Sequence, residues 1–374
     1  MKKFFGFIFF CCLLSSLCAI DIGGSLNTSG FVFDENLVPT EKSIKSISEE
    51  ATLWVKIPFS KSIVLLTEGS YEASYDFNKL SHKLDLSFLT LQMSFNPSSI
   101  ASLDVDLGRF HTADFSSLVF NTFLDGLRLA FSLPEVDFEI YGGYTGFLNN
   151  NNANILYSSN FSDNSSLYPL ASKFVAAGFS LEAKNLFGGH TFGTDLSSFI
   201  SLDSSEARKS SFYVGINLTG PIFQSLYYKL TSTVSFLTEE PLQTGVLASG
   251  DLTFYPGFLA SSIVANVTFA TDTFCPFNEP GIVFDGSKTL QGVLKTGLSF
   301  SMKPLQTFLI ALNCDYIMDV EKSSFLQNAV QWGLSSKVYL LSDIMFNLYA
   351  GQKLSLAKDG SSSFVGSASL VVNF

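Results

Sequence analysis

The sequence alternates between apolar and polar residues with a period of two along most of its length. The clearest example is the segment SIVLLTEGSYEASYDF, residues 62–77. One of its two faces is apolar and carries Ile63, Leu65, Thr67, Tyr71, Ala73, Tyr75 and Phe77. The other face carries Glu68, Ser70, Glu72, Ser74 and Asp76. Because successive side chains of a strand point to opposite sides, this pattern predicts a β-strand with one apolar and one polar face.

The same signal recurs in many short segments, and no long segment has a helical period. Examples are SLDVDLGRF, DGLRLAFSL, VDFEIYGGYTGFL, SFYVGINLTG and AVQWGLSSKVYL. Short connections rich in Pro, Gly, Asn or Ser alternate with longer polar ones, the longest of which are 35–48, 112–121, 149–171 and 273–288. Counting between these breaks predicts about 18 strands, with 16 or 14 as alternatives. An even number places both ends of the chain on the same side.

The first residues determine the compartment. MKKFFGFIFFCCLLSSLCAID has two lysines, an apolar run and then small residues, which predicts a signal peptide over 1–19, cut after Ala19. A transmembrane anchor is one alternative, although the apolar run is short for a membrane-spanning helix. A lipoprotein cut before Cys18 is another, although Leu17 stands where a small residue is expected. The remaining residues, 20–374, are expected to form one domain.

Composition excludes several classes of protein. Hydrophobic residues make up 47% and charged residues 15%, which is too apolar for a disordered chain. The formal net charge is −11, so the chain repels phosphate backbones and is not expected to bind nucleic acid. Only Cys275 and Cys314 lie beyond the signal peptide, and whether they pair is left open.

The polar faces carry mostly Ser, Thr, Gly, Asn and scattered acids. These are fewer charged residues than we expect on the water-exposed face of a soluble sheet of this size. A membrane barrel fits the pattern better, because its apolar face meets lipid and its polar face lines the interior. Closure of the barrel also pairs every strand, so no unsatisfied backbone groups remain in hydrocarbon. We therefore expect an all-β fold: a single transmembrane, antiparallel, up-and-down β-barrel.

The chain resembles Gram-negative-type outer-membrane β-barrels of the porin class. The final segment SSFVGSASLVVNF alternates up to its last residue, and Leu370, Val372 and Phe374 match the terminal signal that the barrel-assembly machinery reads in that family. The resemblance implies an outer-membrane location, periplasmic termini and pairing of the last strand with the first. The resemblance leaves open whether the protein forms a homo-oligomer. The stretch LGRFHTADFSSLVFNTFLDGLRLAF, residues 107–131, is also similar to part of some porin-like and exopolysaccharide-export barrels.

Charged residues on the predicted polar faces are the candidates for lining a pore. They are Glu68, Glu72, Asp104, Asp106, Arg109, Arg128, Asp137, Glu139, Glu182, Asp195, Lys229, Asp251, Lys295 and Asp315. Acids outnumber bases, and acidic rings favour cations, so the sequence predicts a mild cation preference. The alternative is that these groups only solvate the lumen and pair with one another.

Arg109 does not fit the alternation. The pattern places it on the lipid face with Leu107, where a charge at mid-depth costs roughly 2–4 kcal/mol. Either it extends to the membrane surface, or Gly108 marks a bulge that turns it inward, near Arg128, as a constriction residue.

No catalytic or cofactor motif is present, and the three histidines lack metal-ligand spacing, so neither an enzyme nor a cofactor or metal is expected. The leading hypothesis is a passive channel in which ions or small solutes diffuse through a polar lumen. One alternative resembles the fatty-acid-transporter barrels, although the first predicted strand leaves no room for their N-terminal hatch. Another is a structural or adhesive surface protein that binds through its long loops, such as 149–171, which is expected to be mobile and to face the cell exterior.

Overall fold

The fold is described here from a computed structural model of the chain. The structure describes residues 20–34, 44–76, 79–153, 155–156, 166–203, 209–238, 242–278, 290–320, 328–356 and 362–374. The expected signal peptide, residues 1–19, lies outside the described residues, so its cleavage stays a prediction.

Eighteen β-strands and one short helix account for the described secondary structure. The first nine strands are β1 (Asp21–Asp34), β2 (Ile44–Ser60), β3 (Ile63–Asp76), β4 (Lys79–Ser98), β5 (Ala101–Ala113), β6 (Asn121–Ser132), β7 (Val136–Tyr144), β8 (Phe174–Leu186) and β9 (His190–Ser201). The others are β10 (Ser211–Phe223), β11 (Leu226–Leu237), β12 (Gln243–Phe254), β13 (Ser262–Ala270), β14 (Val293–Leu305), β15 (Phe308–Asp319), β16 (Ala329–Leu341), β17 (Ile344–Ser355) and β18 (Ser363–Asn373). The helix, α1, spans Asn150–Ala153. Among the described residues no helix is long and apolar enough to span a membrane.

All strands belong to one antiparallel sheet in which each strand pairs with the next in sequence. The sheet closes between β18 and β1, where Ser25 lies opposite Asn373. The backbones of Gly24 and Phe374 exchange two hydrogen bonds of 2.9 and 3.0 Å, so pairing continues to the last residue. The predicted all-β, single, up-and-down barrel of about 18 strands is confirmed.

The two ends of the barrel differ in their connections. Short turns join β2 to β3, β4 to β5, and so on in alternation through β16 to β17, and both chain termini lie at this same end. These turns fall at or beside the Pro, Gly and Ser positions that predicted them. The longer connections lie at the opposite end, which we call the long-loop end.

The predicted faces of β3 are those the structure shows. Tyr71 and Tyr75 point outward and are 42% and 48% exposed, whereas the alternate residues face the interior. The same alternation continues on the other strands, where the outward rows are rich in exposed Leu, Ile, Val and Phe. The barrel therefore has an apolar outer surface and an inner surface of mostly Ser, Thr, Asn, Gly and charged residues.

A compact apolar cluster lies inside the barrel near the long-loop end. Loop residues such as Val119, Phe120 and Phe277 pack there against inward-facing strand residues such as Phe199 and Tyr213. The rings of Phe199 and Phe277 stack with their centroids 3.8 Å apart. The connections β5–β6, β7–β8 and β13–β14 are thus folded into the barrel, where they bury apolar side chains away from water.

The connection over 149–171 lies partly outside the described residues. Within its described part, Ala153, Ile155 and Ala171 are buried in the internal cluster, whereas Leu167 and Leu170 are 47% and 51% exposed, so its mobility and its exposure at the cell exterior stay predictions. Cys275 is also buried inside the barrel, whereas Cys314 is exposed on the outer face of β15, so the two cysteines do not form a disulfide with each other.

Candidate functional site

The charged side chains predicted to line a pore lie mainly on the inner face of the barrel. Their distribution around the wall is uneven. On strands β2 to β9 the inner face carries eleven acids and fewer bases, which include Lys79, Lys83, Arg128 and Lys184. The acids are Glu50, Glu68, Glu72, Asp76, Asp85, Asp104, Asp106, Asp137, Glu139, Glu182 and Asp195. On strands β11 to β17 it carries Lys229, Asp251, Lys295, Asp315, Lys337 and Lys353. One half of the inner wall is therefore strongly acidic, while bases outnumber acids on the other.

An ion-pair network organises the acidic half around Arg128. Its guanidinium donates to Asp106 at 2.9 Å and lies 3.6 Å from Glu139 on the neighbouring strand. Closer to the short-turn end, Lys184 pairs with Asp137. These contacts neutralise part of the acidic wall but leave Glu182 and Asp104 without an ion pair among the described residues.

The lysine-rich half of the wall holds a polar recess of about 200 Å³. Lys229, Asp251 and Lys295 line it together with Ser116 and Leu118 from the β5–β6 loop. The Lys295 ammonium pairs with Asp315 at 3.2 Å, and Lys229 donates to the carbonyl of Phe115 at 2.6 Å. The wall and the loop are thus joined directly.

Arg109 does not join this set, which corrects the expectation that a bulge turns it inward. Pairing is unbroken there, with Gly108 opposite Gly126 and Arg109 opposite Asp125, so Arg109 keeps the outward row that it shares with Leu107. Gly108 does adopt a φ of 119°, but without shifting the register.

The Arg109 side chain is nevertheless only 5% exposed, because polar groups surround it. Nε and Nη2 each donate to the Asp125 carboxylate at 2.8 Å. Nη2 also donates to the carbonyl of Phe147 at 2.9 Å. Nη1 donates to the carbonyl of Leu86 and to the hydroxyl of Tyr168. This guanidinium fills the gap where β4 and β5 diverge beyond Leu89. Arg109 is therefore a structural clamp between the wall and the β7–β8 connection.

The β5–β6 loop owes its shape to Asp114, which sequence reasoning did not single out. One carboxylate oxygen accepts from the backbone of Val119 and Phe120 at 3.0 and 3.1 Å, and the other accepts from the backbone and hydroxyl of Ser116. Burial raises the pKa of Asp114, while these hydrogen bonds act in the opposite direction. The loop is thus a tight, internally bonded unit, the Asp114 loop (residues 114–120).

Asn278 joins three inward-folded connections. Its amide nitrogen donates to the carbonyl of Ala153 at 2.7 Å, and its oxygen accepts from the backbone of Asn121 at 3.0 Å. The backbone of Phe277 also donates to Val119 at 2.7 Å, and Tyr213 on the wall donates to Cys275 at 3.0 Å. The internal loops therefore form one assembly that is fixed to the wall.

Two polar cavities lie along the inner face of β1 to β4. One cavity, of about 480 Å³, lies near the short-turn end and is lined by residues including Thr52, Trp54 and Glu68. A second, of about 430 Å³, lies farther toward the long-loop end and is lined by residues including Ser48 and Glu72. We call these two cavities together the β1–β4 groove. Glu68 lines the first cavity, and Glu50, on the inner row of β2, lies close enough to it for their charges to interact.

One residue that sequence reasoning did not name, Asp125, carries a readable signal. Arg109 and Asp125 are equally far from Ser117, as are Asp106 and Arg128, so pairing β5 with β6 around that point would have placed each base beside its acid. Asp114 and Asn278 carry no such signal, because their partners belong to irregular loops.

The fold and its inner face define a class: closed, 18-stranded barrels whose long connections fold into a polar lumen. No family model matches the sequence, and no curated protein matches it. Solved structures of this class do match the fold. OccK5 (OpdH) of Pseudomonas aeruginosa aligns with a TM-score of 0.65 and 12% identity over 95% of this chain and 98% of that one.

Two further crystal structures are similar to the same extent. The outer membrane protein OpdK of Pseudomonas aeruginosa gives a TM-score of 0.64 at 8% identity, covering 95% of this chain and 98% of that one. OccAB1 of Acinetobacter baumannii gives a TM-score of 0.63 at 10% identity, covering 95% of this chain and 96% of that one. The fold is therefore that of the porin-class outer-membrane barrels, as the sequence predicted.

Proposed function

We propose that this protein is an outer-membrane channel through which ions and small hydrophilic solutes diffuse passively, with both termini on the periplasmic side. The observation that carries the proposal is the β1–β4 groove, that is, the two polar cavities on the inner wall of β1 to β4. An apolar outer surface suits contact with the lipid bilayer, and a polar interior suits water and solutes. The similarity to an outer membrane protein of Pseudomonas supports the location.

The same groove supports a mild preference for cations. Glu68 and Glu72 on β3 line its two cavities, and Glu50 lies on the inner row of β2 between Ser48 and Thr52, opposite Glu72. Of these three acids only Glu72 has an ion-pair partner among the described residues, Lys83 at 3.6 Å. A row of carboxylates on one wall of a narrow aqueous path raises the local concentration of cations. Because the path is wet, salt screens this effect, and the preference weakens as ionic strength rises.

Current through planar bilayers under a salt gradient tests the proposal. The purified protein should give discrete current steps, with a reversal potential of the sign that cations produce. The double variant Glu50→Gln/Glu68→Gln should move the reversal potential toward zero. Glu49→Gln is the matched control, because Glu49 is the neighbour of Glu50 but points outward. Absence of current, or an equal effect of both variants, would contradict the proposal.

A further inference from the structure

A tryptophan ring lies inside the barrel near its short-turn end. Trp54 on β2 is directly opposite Gly23 of β1 on one side and Glu68 of β3 on the other. A Cβ added to Gly23 would lie 2.6 Å from Cε2 of Trp54, so the indole leans over the space that the glycine leaves free. The indole also lines the cavity of about 480 Å³ at this end of the β1–β4 groove. One side of the ring therefore rests on the wall, and the other faces the lumen.

The position of this ring differs from that of the second tryptophan of the chain. Trp332 on β16 shares an outward row with the exposed Leu334, on the side where aromatic residues anchor a barrel in its membrane. Trp54 shares its inner row with Thr52 and Glu50, and it lies at the opposite end of the barrel from the internal apolar cluster. Its half-buried indole thus serves neither membrane anchoring nor the packing of the loops, and its open face can meet a solute.

Carboxylates accompany the open face of the ring. Glu68 is the direct cross-strand neighbour of Trp54, and the Cβ atoms of such a pair lie about 4.5–5.5 Å apart. Asp343, from the β16–β17 turn, lines the same cavity. Neither acid forms an ion pair with another described residue. Lys56, the base on the same row as Trp54, lies closer to the rim and opposite Asp21, which offsets its charge.

We propose that this cavity binds a small organic cation, a primary or quaternary ammonium ion, between the face of Trp54 and the carboxylate of Glu68. The π-system of an aromatic ring attracts such ions, and the attraction is strongest for tryptophan. A volume of about 480 Å³ lies within the range of small-molecule sites. This site rests on the proposed function, because the ion reaches it through the lumen, and it makes organic ammonium ions preferred solutes of the channel.

Tryptophan fluorescence of the folded protein in detergent measures binding without any current. Trp332→Phe leaves Trp54 as the only tryptophan of the chain. Tetramethylammonium chloride should then change the emission in a saturable way, whereas sodium chloride at the same concentration should not. Glu68→Gln in this background should weaken binding by about a factor of ten, because one opposing charge beside the ion is lost. Glu49→Gln is the matched control and should leave binding unchanged, because Glu49 points outward.

Single-channel current tests this site separately from the proposed channel. Tetramethylammonium should reduce the potassium current of the unaltered protein in a saturable way and have little effect on Trp54→Leu. That variant removes no charge, so its reversal potential in a potassium chloride gradient should equal that of the unaltered protein. Saturable binding without any current would contradict the channel but support the site. Absence of a saturable change in emission, or binding that Glu68→Gln leaves at full strength, would overturn the site and leave the channel unaffected.

Discussion

Arg109 shows how one charged residue can sit in an outward row without facing lipid. Its guanidinium is enclosed by Asp125, by two backbone carbonyls and by Tyr168, so its charge and donors are satisfied where two strands separate. A bidentate pair of this kind combines charge neutralisation with fixed geometry.

We expect Arg109→Ala to destabilise the barrel by about 3–5 kcal/mol, because it leaves the Asp125 carboxylate unpaired beside an apolar surface. Lys83→Ala is the control: both side chains of its pair with Glu72 are about one-third accessible to solvent, and loss of that pair should cost about 0–1 kcal/mol. Unfolding in urea, with the barrel in detergent micelles, measures both. Equal and small losses would show that the Arg109 cluster contributes little.

The structure and the family resemblance predict effects of different size when Phe374 is substituted. Its backbone completes barrel closure with Gly24, while its side chain is 66% exposed at the short-turn end. A charge near the membrane interface costs only about 0–1 kcal/mol, so Phe374→Glu should refold normally in detergent. If the terminal Phe is an assembly signal, as the resemblance implies, the same variant should insert poorly in cells.

Phe223→Glu is the control for this experiment, because Phe223 is an exposed aromatic residue at the same end of the barrel but away from the C-terminus. Comparing outer-membrane levels in cells with refolding yields in vitro separates the two roles. Normal insertion of Phe374→Glu would show that the terminus is not read during assembly.

At the scale of elements, strands and turns follow directly from the sequence, and the loop assembly does not. A period of two predicts which side chains of β3 face outward, and Pro134 or Gly188 marks a turn, because both effects are local. The inward packing of Phe120 and Phe277 depends on contacts between connections that are far apart in sequence. Apolar residues in a long connection do not reveal whether they pack inside the lumen or against another surface.

The loop assembly should loosen when Asn278 loses its side chain. Asn278→Ala removes the bonds to Ala153 and Asn121 and leaves buried groups unsatisfied, at about 1–3 kcal/mol for each group. We expect larger or noisier open-channel current, measured on single channels. Asn313→Ala, on the inner face of β15, is the control. Unchanged current in Asn278→Ala would show that these loops do not limit the path.

At the scale of the whole molecule, the barrel separates two environments on two sides of one sheet. Its outer face is apolar and its inner face is polar, part of its interior is filled by the loop assembly, and the β1–β4 groove is the proposed path. The sequence contains enough information for the barrel and for the acidic excess of its inner face. It does not indicate which part of the lumen is filled, because that depends on how Asp114 and Asn278 organise the loops.

Cysteine modification during current recording tests the central claim that solutes pass along the β1–β4 groove. Ser48 faces this groove, while the adjacent Glu49 faces outward. A bulky, charged methanethiosulfonate reagent should reduce single-channel current in Ser48→Cys and leave Glu49→Cys unchanged. The unsubstituted protein, treated in the same way, controls for Cys275 and Cys314. Current that persists undiminished after complete modification of Ser48→Cys would contradict the proposed path.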